Sequence, residues 1–242
     1  MSETVRLADW LDTAGGVAAG SVDLIYADPP FNTGQPQTGR AGVYEDTWAT
    51  TADWVAWLRE RLVATLPALK PSGSILLHID WRTCHHARLL LDGLLGPDRF
   101  VNHLVWSYGL GGSSPRRFAR KHDDILWYCI DPAAYWFEAP MVPATSRRMS
   151  GRLKKATDVL DIPSINNMAA ERTGYPTQKP LALLELLIGA CCPPGGTVLD
   201  PCCGSGTTLV AAARLGRRPL GGDRNPDAIA IARARLAGER SA

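Results

Sequence analysis

The chain has 242 residues, 45% of them hydrophobic, which fits one large domain or one domain with an insertion, built on a sizeable core. Its formal net charge is +2, so the molecule is no polycation, and any nucleic-acid surface has to come from local clusters of Lys and Arg. There is no run of about 18 apolar residues and no basic start followed by an apolar stretch, so neither a membrane span nor a signal peptide is expected, and the expected location is cytoplasmic.

Of the six cysteines, Cys191-Cys192 and Cys202-Cys203 are adjacent pairs, with Cys84 and Cys129 alone. That is poor geometry for a disulfide framework and lacks zinc spacing, so free thiols are expected. Thr83-Cys84-His85-His86 has no second ligand pair beside it, and no metal site is expected.

In chain order, Val22 to Ala27 reads as a short buried strand. Thr51 caps a helix to Leu69, with Trp54, Leu58, Leu62, Leu66 and Leu69 at helical spacing and Pro67 kinking the last turn. "SILLHID" is a strand and Arg82 to Leu95 a helix. "VNHLVWSY" and "DILWYCI" are strands on either side of a loop rich in Gly, Ser and Arg. From 131 to 178, Pro, Ser, Thr and basic residues dominate and no period persists, which reads as a long functional loop or an inserted recognition element. Leu181 to Cys192 is helical, "TVLD" a strand, Thr207 to Leu215 a helix, "RPLGGD" a strand and Pro226 to Leu236 a last helix. The alternation predicts an open α/β, doubly wound, mostly parallel sheet.

"TVLDPCCGSGTTLVAAARLG" puts a Gly-Ser-Gly turn between a strand and a helix. Such glycines admit a ligand close to the backbone, and the helix N-terminus offers free N–H donors. Asp223, about 20 residues on at the end of the next strand, suits the two hydroxyls of a ribose. A nucleotide-like cofactor, a dinucleotide and a plain structural turn all fit this pattern, although the spacing is not G-x-G-x-x-G. The first strand, for its part, ends on Asp28-Pro29-Pro30-Phe31.

Taken with "SGSILLHID", "FARKHDDILWY" and "TGYPTQKP", these two motifs make nearly the whole chain resemble the S-adenosylmethionine-dependent DNA amino-methyltransferases. The closest likeness is to their beta class, in which Asp-Pro-Pro-aromatic precedes the glycine motif. The resemblance implies a Rossmann-like methyltransferase sheet, circularly permuted, with a seventh strand running antiparallel. It implies a division into a catalytic half (1–130), a short target-recognition insertion (131–172) and a cofactor-binding half (173–242). It also explains the chemistry of the first motif. An exocyclic amine is a poor nucleophile because its lone pair is delocalised into the ring. Acceptors at Asp28 and at the Pro29 carbonyl would localise that pair, the prolines fix the turn, and Phe31 can stack on a flipped base.

By the same resemblance Asp200, Pro201, Gly204, Ser205, Gly206 and Thr207 line the methionine end of the cofactor, and Asp223 holds the ribose. Thr177, Lys179 and Pro180 lie against the cofactor, and Asp9 either meets its adenine ring or merely caps a helix. Cys202 stands where the family often has Phe, and Asp223 where it often has Glu, so the packing around the cofactor should differ. Two basic loops are candidates for double-stranded DNA: Arg116, Arg117, Arg120 and Lys121, then Arg147, Arg148, Arg152, Lys154 and Lys155; a solvated basic face is the bland alternative.

The expected function is methylation of adenine N6, with cytosine N4 as the alternative and a non-catalytic DNA-binding subunit as the remote one. Cytosine C5 chemistry would need the Pro201-Cys202 thiol in the substrate turn, whereas it sits in the cofactor turn. A glutamine methyltransferase would carry Asn-Pro-Pro-Tyr after the glycine motif. A homodimer and a cognate restriction endonuclease are the expected partners.

Overall fold

The structure, a computed structural model, describes residues 4–40, 42–109, 113–144, 151–166 and 169–240. Along them run β1 (Val5–Leu7), α1 (Trp10–Gly15), β2 (Val22–Ala27), β3 (Gln37–Gly39), β4 (Gly42–Tyr44), α2 (Thr51–Thr65), β5 (Leu69–Ile79) and α3 (Cys84–Leu95). Then come β6 (Phe100–Ser107), β7 (His122–Cys129), β8 (Met141–Pro143), β9 (Leu153–Lys155), β10 (Val159–Asp161), α4 (Leu181–Cys191), β11 (Thr197–Asp200), α5 (Thr207–Arg214), β12 (Arg218–Asp223) and α6 (Pro226–Arg240).

All six residues of β2 are buried because the strand is covered on both faces. Successive side chains point to opposite sides. Leu24 and Tyr26 pack with Leu184, Leu209 and Ala232 of α4, α5 and α6. Ile25 and Ala27 pack with Trp54, Leu58 and Leu91 of α2 and α3. Asp23, the one acid in the run, accepts hydrogen bonds from Lys70 Nζ (2.7 and 2.9 Å) and from the Thr197 N–H (2.8 Å), which ties β2 to both neighbours.

The main sheet has eight strands in the order β1-β12-β11-β2-β5-β7-β6-β10. All neighbours are parallel except at β7, which is antiparallel to both β5 and β6. This is the doubly wound sheet that the alternation predicts, with the single reversed strand that the resemblance implies. Strand β11 carries the glycine turn late in the chain yet lies inside the sheet, next to β2, as a circular permutation requires. Within 131–172 the chain forms the hairpin β8–β9 and then β10, which adds to the outer edge beside β6.

The element boundaries have local causes. Helix α2 opens one residue earlier than Thr51 would cap it: Thr50 Oγ1 accepts the Asp53 N–H and Asp53 accepts the Thr50 N–H, a reciprocal box. It stops at Thr65, and Pro67 falls in a separate 3₁₀ turn, Leu66–Ala68. The segments Val5–Leu7 and Trp10–Gly15 form an edge strand and a short helix that the sequence pattern did not announce. Among the described residues no helix is long and apolar enough to cross a membrane.

Candidate cofactor and target-base site

Four neighbouring parallel strands each deliver an aspartate at the carboxyl edge of the sheet. Asp28 follows β2, Asp200 ends β11, Asp223 ends β12 and Asp9 lies two residues past the end of β1. At about 4.8 Å per strand the row spans roughly 14 Å. The crevice opens between β2 and β11, where the chain winds away in opposite directions and where such sheets bind ligands. A cavity of about 320 Å³ runs along it. Its lining includes Asp9, Asp28, Pro30, Thr177, Lys179, Asp200, Pro201, Gly204, Ser205, Thr207 and Asp223. Pro29, Phe31, Pro180 and Gly206 lie outside that lining. Pro180 is buried at the start of α4.

The glycine turn owes its shape to two residues. Gly206 has φ +76° as the residue before α5, and a Cβ there would sit 2.7 Å from Ala232 Cβ on α6. Gly204 has φ +50°, and a Cβ there would meet the Tyr175 ring at 3.1 Å. Asp223 anchors the turn by accepting the Gly204 N–H (2.9 Å) and the Asn225 N–H (2.8 Å). From behind, Arg235 of α6 donates to the Ser205 carbonyl (2.8 Å) and to Thr207 Oγ1 (3.0 Å). Burial pushes the Asp200 carboxyl up to about 7, against the hydrogen bonds from Thr208 and the Cys202 N–H, with Asp28 and Asp223 adding to the rise. Asp223 is also raised by burial. A cationic ligand would relieve both.

Of the two roles considered for Asp9, the cap is seen directly. It caps α1 by accepting the Leu11 N–H (3.0 Å) and it lines the cavity, with Arg61 3.6 Å away. Trp48 and Trp57, with ring centroids 5.1 Å apart, line the same end.

The Asp-Pro-Pro-Phe turn is held at several points. Trp54 Nε1 donates to the Pro30 carbonyl (2.8 Å), while no described residue donates to the Pro29 carbonyl. Beyond it, Asp46 accepts the Asn32 N–H (2.7 Å) and Thr33 Oγ1 (2.5 Å), holding Asn32 at φ +61°. Lys179 lines the cavity, and its ammonium also donates to Asp28 Oδ2 and lies 5.2 Å from the Phe31 ring centroid. Phe31 stacks on His78 (5.9 Å, 21°). His78 is buried, with Nδ1 2.7 Å from the Tyr26 hydroxyl and Nε2 3.2 Å from Asp123 Oδ2. Tyr108 donates to the other Asp123 oxygen at 3.4 Å. Burial alone would raise Asp123, but its hydrogen bond with His78 and the nearby positive charges hold its carboxyl below the usual value.

Arg116, Arg117 and Arg120 are exposed and Lys121 is half-buried, on the loop between β6 and β7. Arg152 and Lys155 are exposed beside half-buried Lys154 on β9 and its approach. Arg147 and Arg148 lie outside the described residues. Away from the cavity, Cys84, His103 and Asp124 form a hydrogen-bonded triplet: Sγ is 3.8 Å from His103 Nε2, which is 2.7 Å from Asp124 Oδ1.

The supports Tyr175, Arg235, Asp46 and Trp54 were missed by sequence reasoning. His78 had a signal, a histidine at the end of an apolar strand; the others look like ordinary surface or core residues.

The family model for N6/N4 DNA methylases matches residues 22–234. The chain belongs to that DNA methylase family. The Type II methyltransferase M.ScaI of Streptomyces caespitosus is 32% identical over 243 residues, covering 90% of this chain and 75% of that protein. The DNA adenine methyltransferase YhdJ of Escherichia coli is 28% identical over 251 residues, covering 97% and 83%. Among solved structures, the M1.HpyAVI–SAM complex has a TM-score of 0.67 at 23% identity, covering 96% of this chain and 98% of that one. The methylase is thus an S-adenosylmethionine-dependent enzyme acting on an exocyclic amine of DNA, adenine N6 or cytosine N4. Its cavity suits that cofactor: Asp28, Asp200 and Asp223 all line it, and their carboxylates would face a cationic sulfonium.

Proposed function

We propose that the methylase acts on the N6 amine of an adenine flipped out of duplex DNA, with Asp28 and the Pro29 carbonyl as the two acceptors for the amine N–H groups. The observation that carries the reading is the adjacency of Asp28 and Asp200 at the ends of paired strands, over one cavity. S-adenosylmethionine supplies a methyl group on a sulfonium whose sulfur keeps the bonding pair when the methyl leaves. Asp28 offers Oδ1, since Lys179 takes Oδ2. Pulling on the N–H groups turns the amine lone pair out of the ring, and the new N–C bond makes an ammonium that loses its proton without a strong base. Orientation supplies most of the acceleration. Phe31, backed by His78, stacks on the base. Asp200 and the glycine turn take the methionine end, Asp223 the ribose, and Asp9 with Trp48 and Trp57 the adenine of the cofactor.

Support for adenine comes from the relative named an adenine methyltransferase, which matches 97% of this chain. Residues 131–172 read the target sequence, and the basic loops track phosphates. The Type II name of M.ScaI supports a paired restriction endonuclease. The reading includes a cytoplasmic homodimer, for which exposed Met141, Leu153 and Val159 near the outer edge of the sheet are the support.

The test uses purified protein, unmodified DNA and methyl-labelled S-adenosylmethionine, with mass spectrometry of the digested nucleosides. Label in N6-methyladenine is the expected result. Label in N4-methylcytosine overturns the choice of base, and no label on any DNA overturns the catalytic reading.

A further inference from the structure

Phe118 is 98% exposed, the most exposed large apolar side chain of the described residues. It stands in a basic stretch: Arg116 and Arg117 precede it, and Arg120 and Lys121 follow. A single exposed aromatic is common on protein surfaces. The position of this one is not neutral. Its loop joins β6 to β7, and Ser107 pairs with His122 at its base. The pairing extends through the Tyr108 N–H to the Lys121 carbonyl at 3.1 Å. The carboxyl end of β6 points the same way as that of β2, so the loop rises from the edge that carries Asp28.

Two contacts fix the loop to that edge. The Arg120 guanidinium lies 3.3 Å from the centroid of Trp81, just past the end of β5. Asp123 and Tyr108, at the loop's two ends, complete the hydrogen-bond chain to His78 beneath Phe31. Phe118 therefore projects, almost fully exposed, from a cationic, anchored loop beside the target turn. Flipping a base leaves a gap in the duplex, and apolar side chains inserted between bases offset lost stacking.

We propose that Phe118 enters the base stack of the target duplex and fills the gap left by the flipped base, with Arg116 and Arg117 on the flanking phosphates. The proposal rests on the DNA-methylation reading above and makes Phe118 a positioning residue.

The test compares wild type, Phe118→Ala and Phe118→Trp on two short duplexes carrying the sequence that wild type modifies in unmethylated genomic DNA. One duplex is fully paired, and the other has an abasic site opposite the target base, where flipping breaks no pair. Phe118→Ala is expected to lower kcat/KM ten- to a hundredfold on the paired duplex and less than threefold on the abasic one, with Phe118→Trp restoring most of the loss. A Phe118→Ala enzyme equal to wild type on the paired duplex overturns the proposal, and so does an equal loss on both duplexes. If wild type labels no DNA, the functional reading falls and takes this proposal with it.

Discussion

The ammonium of Lys179 donates to Oδ2 of Asp28 across 151 residues of chain, joining the motif before α4 to the turn after β2. Both side chains are largely shielded, so each orients the other. Lys179→Met should leave cofactor affinity nearly intact and lower the single-turnover methylation rate about tenfold to a hundredfold, the range expected when a reacting group loses its alignment. Asp28→Ala should abolish turnover while cofactor binding survives. Titration calorimetry with S-adenosylmethionine and a labelled-methyl transfer assay check both, and retained turnover in Asp28→Ala would falsify the mechanism.

Asp200 gives the ligand-free protein a distinctive pH response. Its carboxyl is raised from an ordinary 3.8 to about 7, so between those values the native state holds a proton that the unfolded chain has released. Stability of the ligand-free fold therefore falls as pH rises across that window and levels off above it. At about 1.4 kcal/mol per pH unit the loss is at most about 4 kcal/mol. Asp200→Asn should flatten the slope of Tm against pH from about 4 to 7 and weaken cofactor binding above pH 7, as thermal melts and calorimetry at several pH values would reveal.

Gly206 has no room for a methyl group. With Ala232 Cβ only 2.7 Å from the site of a new Cβ and φ at +76°, Gly206→Ala forces α5 away from α6 or strains the turn. A cost of about 2–3 kcal/mol is expected, which for a chain of this size is roughly 5–10 °C in Tm. An unchanged melting temperature would refute this packing argument.

Arg116 and Arg117 should act on DNA affinity rather than on chemistry. Each Ala substitution should weaken duplex binding about equally for all sequences and reduce the slope of log affinity against log salt by about 1. Anisotropy titrations at several salt concentrations measure this, and a sequence-dependent loss would mean that the residue reads bases.

How far the sequence discloses this arrangement depends on how local each signal is. Strands β2 and β12 have the expected bounds, since the first is a short apolar run between turn residues and the second ends at an acid before Asn225-Pro226. Asp28, Asp200 and Asp223 were each legible beside a motif or a strand end, whereas Asp9 was named only through the family resemblance. The alignment of the four in one row was not legible, because it depends on strand order. The Lys179–Asp28 pair was hidden for the same reason: nothing local distinguishes a lysine that faces the cofactor from one that reaches across to a neighbouring strand's turn. Strand β1 has only three residues, too few to show a period. Arg235 looks like any arginine of an amphipathic last helix until the fold aims it at Ser205 and Thr207.

The internal place of β11, between β12 and β2, has a consequence for synthesis of the chain. Strand β2 is made early, but its partner on one flank begins at Thr197 and that strand's own neighbour at Arg218. Until those last segments leave the ribosome, β2 keeps an open, apolar edge and β1 has nothing to pair with. A nascent chain is therefore exposed to wrong strand pairing for most of its translation. The cofactor crevice closes only when β1 and β2 meet β12 and β11, so a product truncated before β12 has neither a finished sheet nor a place to hold the methyl donor.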